Sequence, residues 1–269
     1  MPGLRRTSAL ISILASDHPG LSQQAILDEL RRAILSGEVP PGSPIPVDET
    51  ADLFGVSRIP IREALKTLIG EGLIDHQPRA GYSVTLLTVE EFRELYVVRG
   101  VLEMAGLAAA VGLAGPDDDR RAADALAALD QALLDEDYRA YQRDSRRFHL
   151  ALTTPCRMPR LMHMIESVWN ITEPIQPMAH ISNDDRNELH AQHSEMLAAF
   201  IRRDSEALLK ASQDHLQDLD ASVAELPTMT GLFAASAEAN GSSAGATDDD
   251  TGIDEARGGD DGEDRSSRV

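Results

Sequence analysis

Hydrophobic and polar positions recur with a helical period from Ser22 onward. Ile26, Leu30 and Ile34 lie on one face of the segment AILDELRRAIL, and Gly37 follows it. A serine cap, a 3.6-residue period and a glycine stop together predict a helix. The next stretch, GEVPPGSPIP, is dense in Pro and Gly, which predicts an ordered loop without an element of its own.

Two further helices are predicted in quick succession. Residues 47–54 form a short apolar-periodic run that ends at Gly55. Ser57 is a suitable N-cap for the next helix, and Pro60 falls in its first turn, where a missing N–H costs nothing. The apolar period then continues to Gly72. Helix, tight turn and helix in this order predict a helix-turn-helix.

The period changes after this helix pair. LIDH and YSVTLL are short β-like runs, and QPRAG between them predicts a turn with Arg79 at its tip. A hairpin that follows a helix-turn-helix is a wing. The sequence therefore predicts a winged helix-turn-helix domain over residues 21–87.

The chain from Thr88 to about residue 226 predicts helices alone. Thr88 and Glu91 form a capping-box pattern that opens a long helix. The fold class is therefore mainly α, with an all-helical second domain over 88–226. About six helices are expected, separated by breaks at 115–119, 135–137, 154–159, 174–177 and 203–204.

Both ends of the chain carry little core-forming sequence. Residues 1–20 are predicted to be a flexible N-terminal segment. Beyond Pro227 the chain is rich in Ala, Ser, Gly, Asp and Glu, which predicts an acidic disordered tail over 227–269.

Charge and cysteine content narrow the class of protein. The net charge is −20, but residues 1–88 hold eight Lys/Arg against ten Asp/Glu, so a local cationic patch is feasible there. The single cysteine, Cys156, excludes an intramolecular disulfide and favours a reducing compartment. No apolar stretch approaches membrane-spanning length. We therefore expect a soluble, cytoplasmic protein without a membrane partner.

The start of the second helix of the pair carries candidate DNA-reading residues. Arg58 and Arg62 are one turn apart and project from one face. In a helix-turn-helix this end enters the major groove, and an arginine fork matches the O6 and N7 acceptors of guanine. The alternative is a solvated surface on which Arg62 pairs with a carboxylate. The predicted DNA-binding residues are Ser57, Arg58, Arg62, Lys66 (phosphate) and Arg79 (minor groove).

The strings LRRAILSGEVPPGSPI, DLFGVSRIPIREALKTLIGEGLI and PRAGYSV are similar to the DNA-binding domain of the GntR family of bacterial transcription regulators. The resemblance implies a homodimer on a palindromic DNA operator, with Arg58 and Arg62 as DNA contacts. The chain departs from some members in the short helix, where Asp48, Glu49 and Asp52 stand in place of a basic residue. Fewer phosphate contacts from that helix should follow.

The start of the helical domain, VVRGVLEMAGLAAA, resembles the FCD effector domain of FadR-type regulators. The resemblance implies a small-molecule effector, here a small organic acid or related metabolite. Arg99 and Glu103 are one turn apart, which predicts an ion pair on the helix surface or in the interior. Arg99 as a receptor for the carboxylate of the effector is the alternative.

Three histidines form a candidate metal site. His149 lies on the inward face of its helix, and His193 and His215 lie eleven residues on either side of Asp204. At ~1.5 Å per residue both are about 16 Å from the turn, so an antiparallel helix pair places them at one depth. Three convergent imidazoles can bind a divalent metal. The alternative is that each is an ordinary hydrogen-bonded histidine.

The FCD resemblance also implies a carboxylate ligand four residues before the first histidine. Ser145 occupies that position, and its neighbour Asp144 lies about 140° around the helix from His149. A divalent metal (zinc, nickel or manganese) would therefore be bound weakly, with water in place of the carboxylate, or not at all. The predicted effector-binding residues are Arg99, Ser145, His149, His193 and His215.

These features predict a ligand-responsive transcription regulator, of the repressor type, rather than an enzyme. A first alternative is a metal-sensing regulator in which the ion is the effector. A second is a metal-dependent hydrolase fused to a DNA-binding domain, since three histidines with an open position also describe a hydrolytic zinc site. Against the hydrolase, the sequence shows no nucleophile motif and no general base with a defined place.

Overall fold

The computed structural model describes residues 8–14, 22–224, 226 and 231–234, and these are mainly helical. No helix within these ranges is both long and apolar enough to cross a membrane. Single 3-10 turns occupy Thr154–Cys156, Glu173–Ile175 and Pro177–Ala179. The elements are α1 (Ala9–Ile13), α2 (Gln23–Leu35), β1 (Pro44–Ile45), α3 (Val47–Phe54), α4 (Arg58–Gly70), β2 (Ile74–Gln77), β3 (Gly81–Val84), α5 (Val89–Ala110), α6 (Pro116–Leu134), α7 (Tyr138–Thr153), α8 (Pro159–Thr172), α9 (Asn183–Arg202) and α10 (Ser205–Ala224).

The predicted winged helix-turn-helix is present. Helices α3 and α4 are joined through Gly55, whose φ of 62° is left-handed and suits glycine. Strands β2 and β3 form the antiparallel hairpin of the wing. Leu30, Phe54, Leu65 and Leu68 are among the buried side chains that join these elements into one core. The start of α4 is thereby held at the surface on a rigid support.

Two local details differ from the sequence-based expectation. The loop GEVPPGSPIP contains a two-residue strand, β1, which pairs with β3 at the edge of the sheet in the order β1-β3-β2. Pro44 is tolerated there because an edge strand does not need every N–H. Ser57 is the N-cap residue of α4, but its side chain makes no capping hydrogen bond.

The described part of the N-terminal segment is ordered by packing, which corrects the prediction of flexibility for residues 8–14. Leu10 and Leu14 are buried in the core of the winged domain. The Ser8 hydroxyl also donates to the carbonyl of Pro44 at 2.8 Å. Leu10 and Leu14 are four residues apart, so α1 has one apolar face that can be buried, and this packing orders the segment. The remainder of 1–20 lies outside the described residues.

The helical domain begins with the predicted capping box: the Thr88 hydroxyl accepts from the Glu91 N–H, and the Glu91 carboxylate accepts from the Thr88 N–H. Helices α9 and α10 form an antiparallel pair that turns at Arg203, whose φ is 58°. The apolar core of the helical domain includes Phe148 and Phe200, both fully buried. Several buried polar residues of α5, α7, α9 and α10 lie within this domain and form the site described below.

A short C-terminal piece also packs on the helical domain. The Phe233 ring meets the Phe92 ring edge-on at 5.4 Å, and the Ala234 N–H donates to the Leu87 carbonyl at 2.8 Å. The prediction of a disordered tail from residue 227 is therefore corrected for 231–234. Phe233 is a large apolar side chain in a polar segment, and it buries against α5. The rest of 227–269 lies outside the described residues.

The two domains touch at two glycines. A Cβ on Gly37, after α2, would lie 2.3 Å from the Gln176 side chain. A Cβ on Gly72, after α4, would lie 2.6 Å from the Ile171 side chain. Both glycines also have a positive φ. The end of α8 and the 3-10 turn that follows it therefore pack directly on the DNA-binding domain.

Candidate DNA-reading surface and candidate metal centre

The predicted DNA-reading side chains lie on the exposed face of α4. Arg58 Nε is 2.6 Å from Asp48 Oδ1, and both side chains are largely exposed. Lys66 Nζ donates to Glu63 Oε1 at 2.8 Å, also at the surface. Exposed ion pairs contribute little stability, so phosphate or base acceptors can replace these carboxylates. Arg62 is exposed as well.

The wing and α4 border one cleft. Arg62 and Arg79 both line it, together with His76 and Tyr82, whose rings are 4.5 Å apart. Arg79 is at the hairpin turn with a φ of 73°. The structure thus brings the helix arginine and the wing arginine to the same opening.

Ile59, which is 72% exposed at the start of α4, was not among the predicted DNA-binding residues. An apolar side chain at this place can contact a thymine methyl group in the major groove. The sequence did contain a sign of this role, because Ile59 lies outside the helical face that carries the buried apolar residues of α4. His76 and Tyr82 were also missed, because their role depends on the wing lying beside α4.

The three predicted histidines meet in the interior of the helical domain. His149 comes from α7, His193 from α9 and His215 from α10. One ring nitrogen of each lies within 4.8 Å of the others, and His149 Nε2 is 3.3 Å from His193 Nε2. All three side chains are buried. The matched depth that the sequence predicts for His193 and His215 is therefore present.

A buried carboxylate orients the first histidine. Glu103 Oε2 is 3.2 Å from His149 Nδ1, and Trp169 Nε1 donates to Glu103 Oε1 at 2.9 Å. Contact at Nδ1 leaves His149 Nε2 turned toward the other histidines. Arg99 Nε is 3.6 Å from Glu103 Oε1, an ion-pair distance that is too long for a hydrogen bond. Glu103 therefore contacts His149 as well as Arg99, its predicted partner.

An amide orients another histidine. His215 Nδ1 donates to Gln192 Oε1 at 3.0 Å, and Gln192 Nε2 donates to Asp218 Oδ2 at 2.5 Å. His215 is thereby fixed as the tautomer with a free Nε2. His193 Nδ1 has no hydrogen-bond partner among the described residues. Glu103 and Gln192 were not predicted as histidine partners, since both act across helices.

Burial sets the charge of the cluster. Desolvation, followed by the neighbouring histidines, lowers the pKa of His193 well below 6.5. Desolvation and His149 likewise lower the pKa of His215. Burial opposes ionisation of Glu103, but His149 and Arg99 outweigh it and lower its pKa to about 2. A lowered pKa keeps the imidazoles of His193 and His215 available as metal ligands, and Glu103 backs His149 as a carboxylate partner.

The residues near the expected fourth ligand are arranged differently. Ser145 is buried and lines the cavity beside the histidines. Asp144 Oδ2 accepts from Arg143 Nη2 at 3.1 Å and is not part of the cluster. His190, a neighbour of His193 on α9, faces Asp130 at 2.9 Å instead. In the described part of the chain, the cluster consists of three histidines without a carboxylate ligand.

Arg99 is a buried cation with spare donors. It is 1% exposed, and its guanidinium carbon lies 4.3 Å from the ring centres of both Tyr96 and Trp169. Its Nε and Nη2 have no hydrogen-bond partner among the described residues. Unpaired buried donors are costly, so this arrangement suits an anionic ligand. The cavity between these groups is small, about 10 Å³, which is room for about one water molecule. It is lined by Tyr96, Arg99, Gln142, Ser145, His149, Trp169, Met178, Leu189, His193, His215 and Leu219.

A winged helix-turn-helix joined to a helical domain with a buried polar cavity defines a DNA-binding regulator with an effector domain. Comparison with known families agrees: residues 22–84 match the family described as bacterial regulatory proteins, gntR family, and residues 94–218 match the FCD domain. The chain belongs to the gntR family of transcription regulators and carries an FCD domain. This family assignment weighs against the hydrolase alternative.

Relatives match over most of their length. The chain is 27% identical to the transcriptional repressor RspR of Escherichia coli K12 over 209 residues, which are 76% of this chain and 89% of the relative. It is 27% identical to the regulator YdfH of Escherichia coli O6:H1 over 214 residues, 77% and 91% of the two chains.

Two solved structures are also similar. A GntR regulator from Rhodococcus sp. RHA1 shares 25% identity and a TM-score of 0.68, covering 75% of this chain and 97% of that one. McbR/YncC of Escherichia coli shares 24% identity and a TM-score of 0.67, covering 76% and 98%, which supports the fold.

Proposed function

We propose that this protein is a homodimeric, effector-controlled repressor that reads a palindromic operator with α4. The observation that supports DNA reading is the exposed face at the start of α4, where Arg58, Ile59 and Arg62 project beside the wing. Two guanidinium groups and one apolar side chain match guanine acceptors and a thymine methyl group. The similarity to the repressor RspR supports repression rather than activation.

The proposed effector is a small organic acid that binds at the histidine cavity, whose volume of about 10 Å³ must widen to admit it. Arg99 offers unpaired N–H groups for its carboxylate. A divalent metal would be held by His149, His193 and His215, with water in place of a protein carboxylate because Ser145 offers none. When bound, such an ion supplies a Lewis acid for oxygen atoms of a ligand.

A second candidate is a metal-sensing regulator, which the three-histidine cluster favours by itself. In that case the ion would change DNA affinity without an organic acid. Arg99 distinguishes the two functions, because its unpaired donors serve an anion but have no role toward a cation.

The cavity has a direct physical connection to the DNA-binding domain. Trp169 lines the cavity, and Ile171, two residues further along α8, packs against Gly72, two residues after the end of α4. Met178 also lines the cavity, and Gln176 near it packs against Gly37. A ligand that moves this segment would shift the winged domains of a dimer and change their fit to two half-sites.

The function is tested by selecting bound DNA from a random pool and then measuring variants on the selected site. Arg58→Ala or Arg62→Ala should cost about 1–3 kcal/mol and relax one base position per half-site. Lys66→Ala is the matched control, which should weaken all sequences alike and reduce the salt slope by about one. Full discrimination by both arginine variants would refute the assignment of α4.

Effector release is tested on the same DNA with organic acids, with and without a chelator. Release by an acid that is lost in Arg99→Gln supports the organic-acid proposal. Release by zinc, nickel or manganese alone, unchanged in Arg99→Gln, would favour metal sensing instead.

A further inference from the structure

A second cavity lies between the two domains, separate from the histidine cavity. It is open to solvent on one side and has a volume of about 650 Å³. The DNA-binding domain contributes Leu35, Ser36 and Glu38 at and after the end of α2. The helical domain contributes Glu173, from the turn after α8, and Arg146 of α7. Further charged side chains at its edge are Arg32, Asp137, Arg139 and Arg143.

Glu173 is a buried carboxylate without a counter-ion. It is 2% exposed, its Oε2 has no hydrogen-bond partner, and no ion pair joins it to any cation that the structure describes. Burial raises the pKa of Glu173 to about 7, although Arg146 acts in the opposite direction. A buried carboxylate with an unpartnered oxygen is costly, so Glu173 favours either a proton or a cationic donor from outside the described chain.

Arg146 is the opposite case in the same cavity. Its side chain is half-buried, and burial lowers its pKa. Its Nη2 donates to the neutral Asn170 Oδ1 at 2.7 Å, and it forms no ion pair with a carboxylate within the described ranges. Asn170 thus orients the guanidinium of Arg146. Arg146 and Glu173 attract each other electrostatically but do not form an ion pair.

We propose that this interdomain cavity binds a small zwitterion of the α-amino-acid type, with its ammonium group at Glu173 and its carboxylate at Arg146. A ligand of both charges supplies a partner to each side chain at once. A simple anion would leave the Glu173 carboxylate without a donor, whereas a simple amine would leave the Arg146 guanidinium without an anionic acceptor. A ligand here would also touch the end of α2 and so bias the placement of the DNA-binding domain.

The inference goes beyond the proposed function, since it requires neither a metal nor an organic acid in the histidine cavity. The test is calorimetric titration of the full chain with each standard α-amino acid, with matched 2-oxo acids lacking the ammonium group, and with matched amines lacking the carboxylate. At least one amino acid should bind, and its oxo-acid and amine counterparts should bind about tenfold more weakly or not at all.

Variants locate the site. Glu173→Gln and Arg146→Gln should each weaken amino-acid binding by about tenfold or more. His193→Ala in the histidine cavity and Arg120→Gln on the exposed face of α6 are controls that should leave binding unchanged. Melting curves of the free variants check folding, and Glu173→Gln should fold because glutamine has the size of the protonated carboxyl that burial favours.

Three results would overturn the inference: no amino acid binds the wild-type chain, the 2-oxo acids bind as well as the amino acids, or binding survives Glu173→Gln but is lost in His193→Ala. The first two leave the DNA-reading and organic-acid proposals intact. The third would move the amino acid into the histidine cavity.

Discussion

Glu103 contacts His149 at the nitrogen that points away from the other two histidines, and Trp169 fixes the carboxylate from behind. This chain of contacts selects one tautomer and one ring orientation for His149. Carboxylate–histidine pairs of this kind raise the basicity of the imidazole and hold it for a metal. The affinity of the site for a metal would therefore depend on Glu103, a residue that would not itself touch the ion.

Replacing Glu103 tests this dependence. Glu103→Gln should weaken binding of zinc, nickel or manganese by about 10–100-fold, because outer partners of metal ligands contribute that much. The measurement is titration of chelator-stripped protein with each metal, beside thermal melts. Asp130→Asn, which alters the partner of His190 outside the cluster, is the matched control and should have no effect. Equal metal affinity in Glu103→Gln and wild type would contradict the role of Glu103.

Ser145 gives the complementary prediction. Ser145→Asp places a carboxylate one turn before His149 on the cavity side, where it adds an anionic oxygen donor to three neutral imidazoles. Metal affinity should rise, and the melting temperature should rise with metal concentration by mass action. Elemental analysis of protein purified without an affinity tag provides the direct measurement. No metal in the wild type, no thermal shift and no gain from Ser145→Asp would together leave the histidines as polar lining of an organic-ligand cavity.

Glu173 predicts a pH dependence of stability. Its pKa rises from 4.5 to about 7 on folding, so the native state holds this proton where the unfolded chain has released it. The free energy of unfolding should therefore fall as pH rises from about 4.5 to 7, by on the order of 3 kcal/mol at most. Denaturant titrations at several pH values measure the slope. Glu173→Gln should flatten it, and an unchanged slope in that variant would refute the prediction.

At the level of elements, caps and periods in the sequence predicted the helices closely. Helix α3 occupies the predicted residues 47–54, and the capping box at Thr88 opens α5. These signals are local, so they can be read from neighbouring residues. Strand β1 was missed because two residues carry no period, and its existence depends on pairing with β3.

The candidate metal site was only partly predictable for the same reason. Equal spacing from the turn at Asp204 predicts from the sequence alone that His193 and His215 lie at the same depth in the helix pair. The partners Glu103 and Gln192 could not be inferred, since Glu103 reaches His149 from α5 and Gln192 reaches His215 from α9. Contacts between helices depend on packing angles that the sequence pattern leaves open.

The segment 231–234 predicts a boundary for truncation. Deleting 235–269 should leave the melting temperature unchanged, because that stretch is rich in small and acidic residues. Deleting 227–269 also removes Phe233 from its contact with Phe92 and should cost about 1–3 kcal/mol. Phe233→Ala in the full chain measures the contribution of the Phe233 ring to stability separately from that of the other deleted residues. Equal stability of both truncations and Phe233→Ala would show that this contact contributes nothing.

On the scale of the whole molecule, α5 has two apolar sides. Phe92 and Leu107 face the core, while Val97 and Val101 are 65% and 66% exposed. The exposed side borders an apolar groove that includes Leu216 of α10. A helix that is apolar on opposite faces is normally buried on both. A second copy of this chain is the proposed cover, because a palindromic operator requires a symmetric dimer.

The dimer is tested by placing charge on this groove. Val97→Glu and Val101→Glu would each bring two carboxylates close together across a two-fold axis, at a desolvated position, so the variants should be folded monomers. Leu134→Glu is the matched control, since Leu134 is 78% exposed on α6 but does not border the groove. Light scattering after gel filtration gives the mass, and circular dichroism checks folding. A monomeric variant should also lose most of its affinity for the two-half-site operator while keeping weak binding to one half-site. Dimers of unchanged mass in both valine variants would place the interface elsewhere.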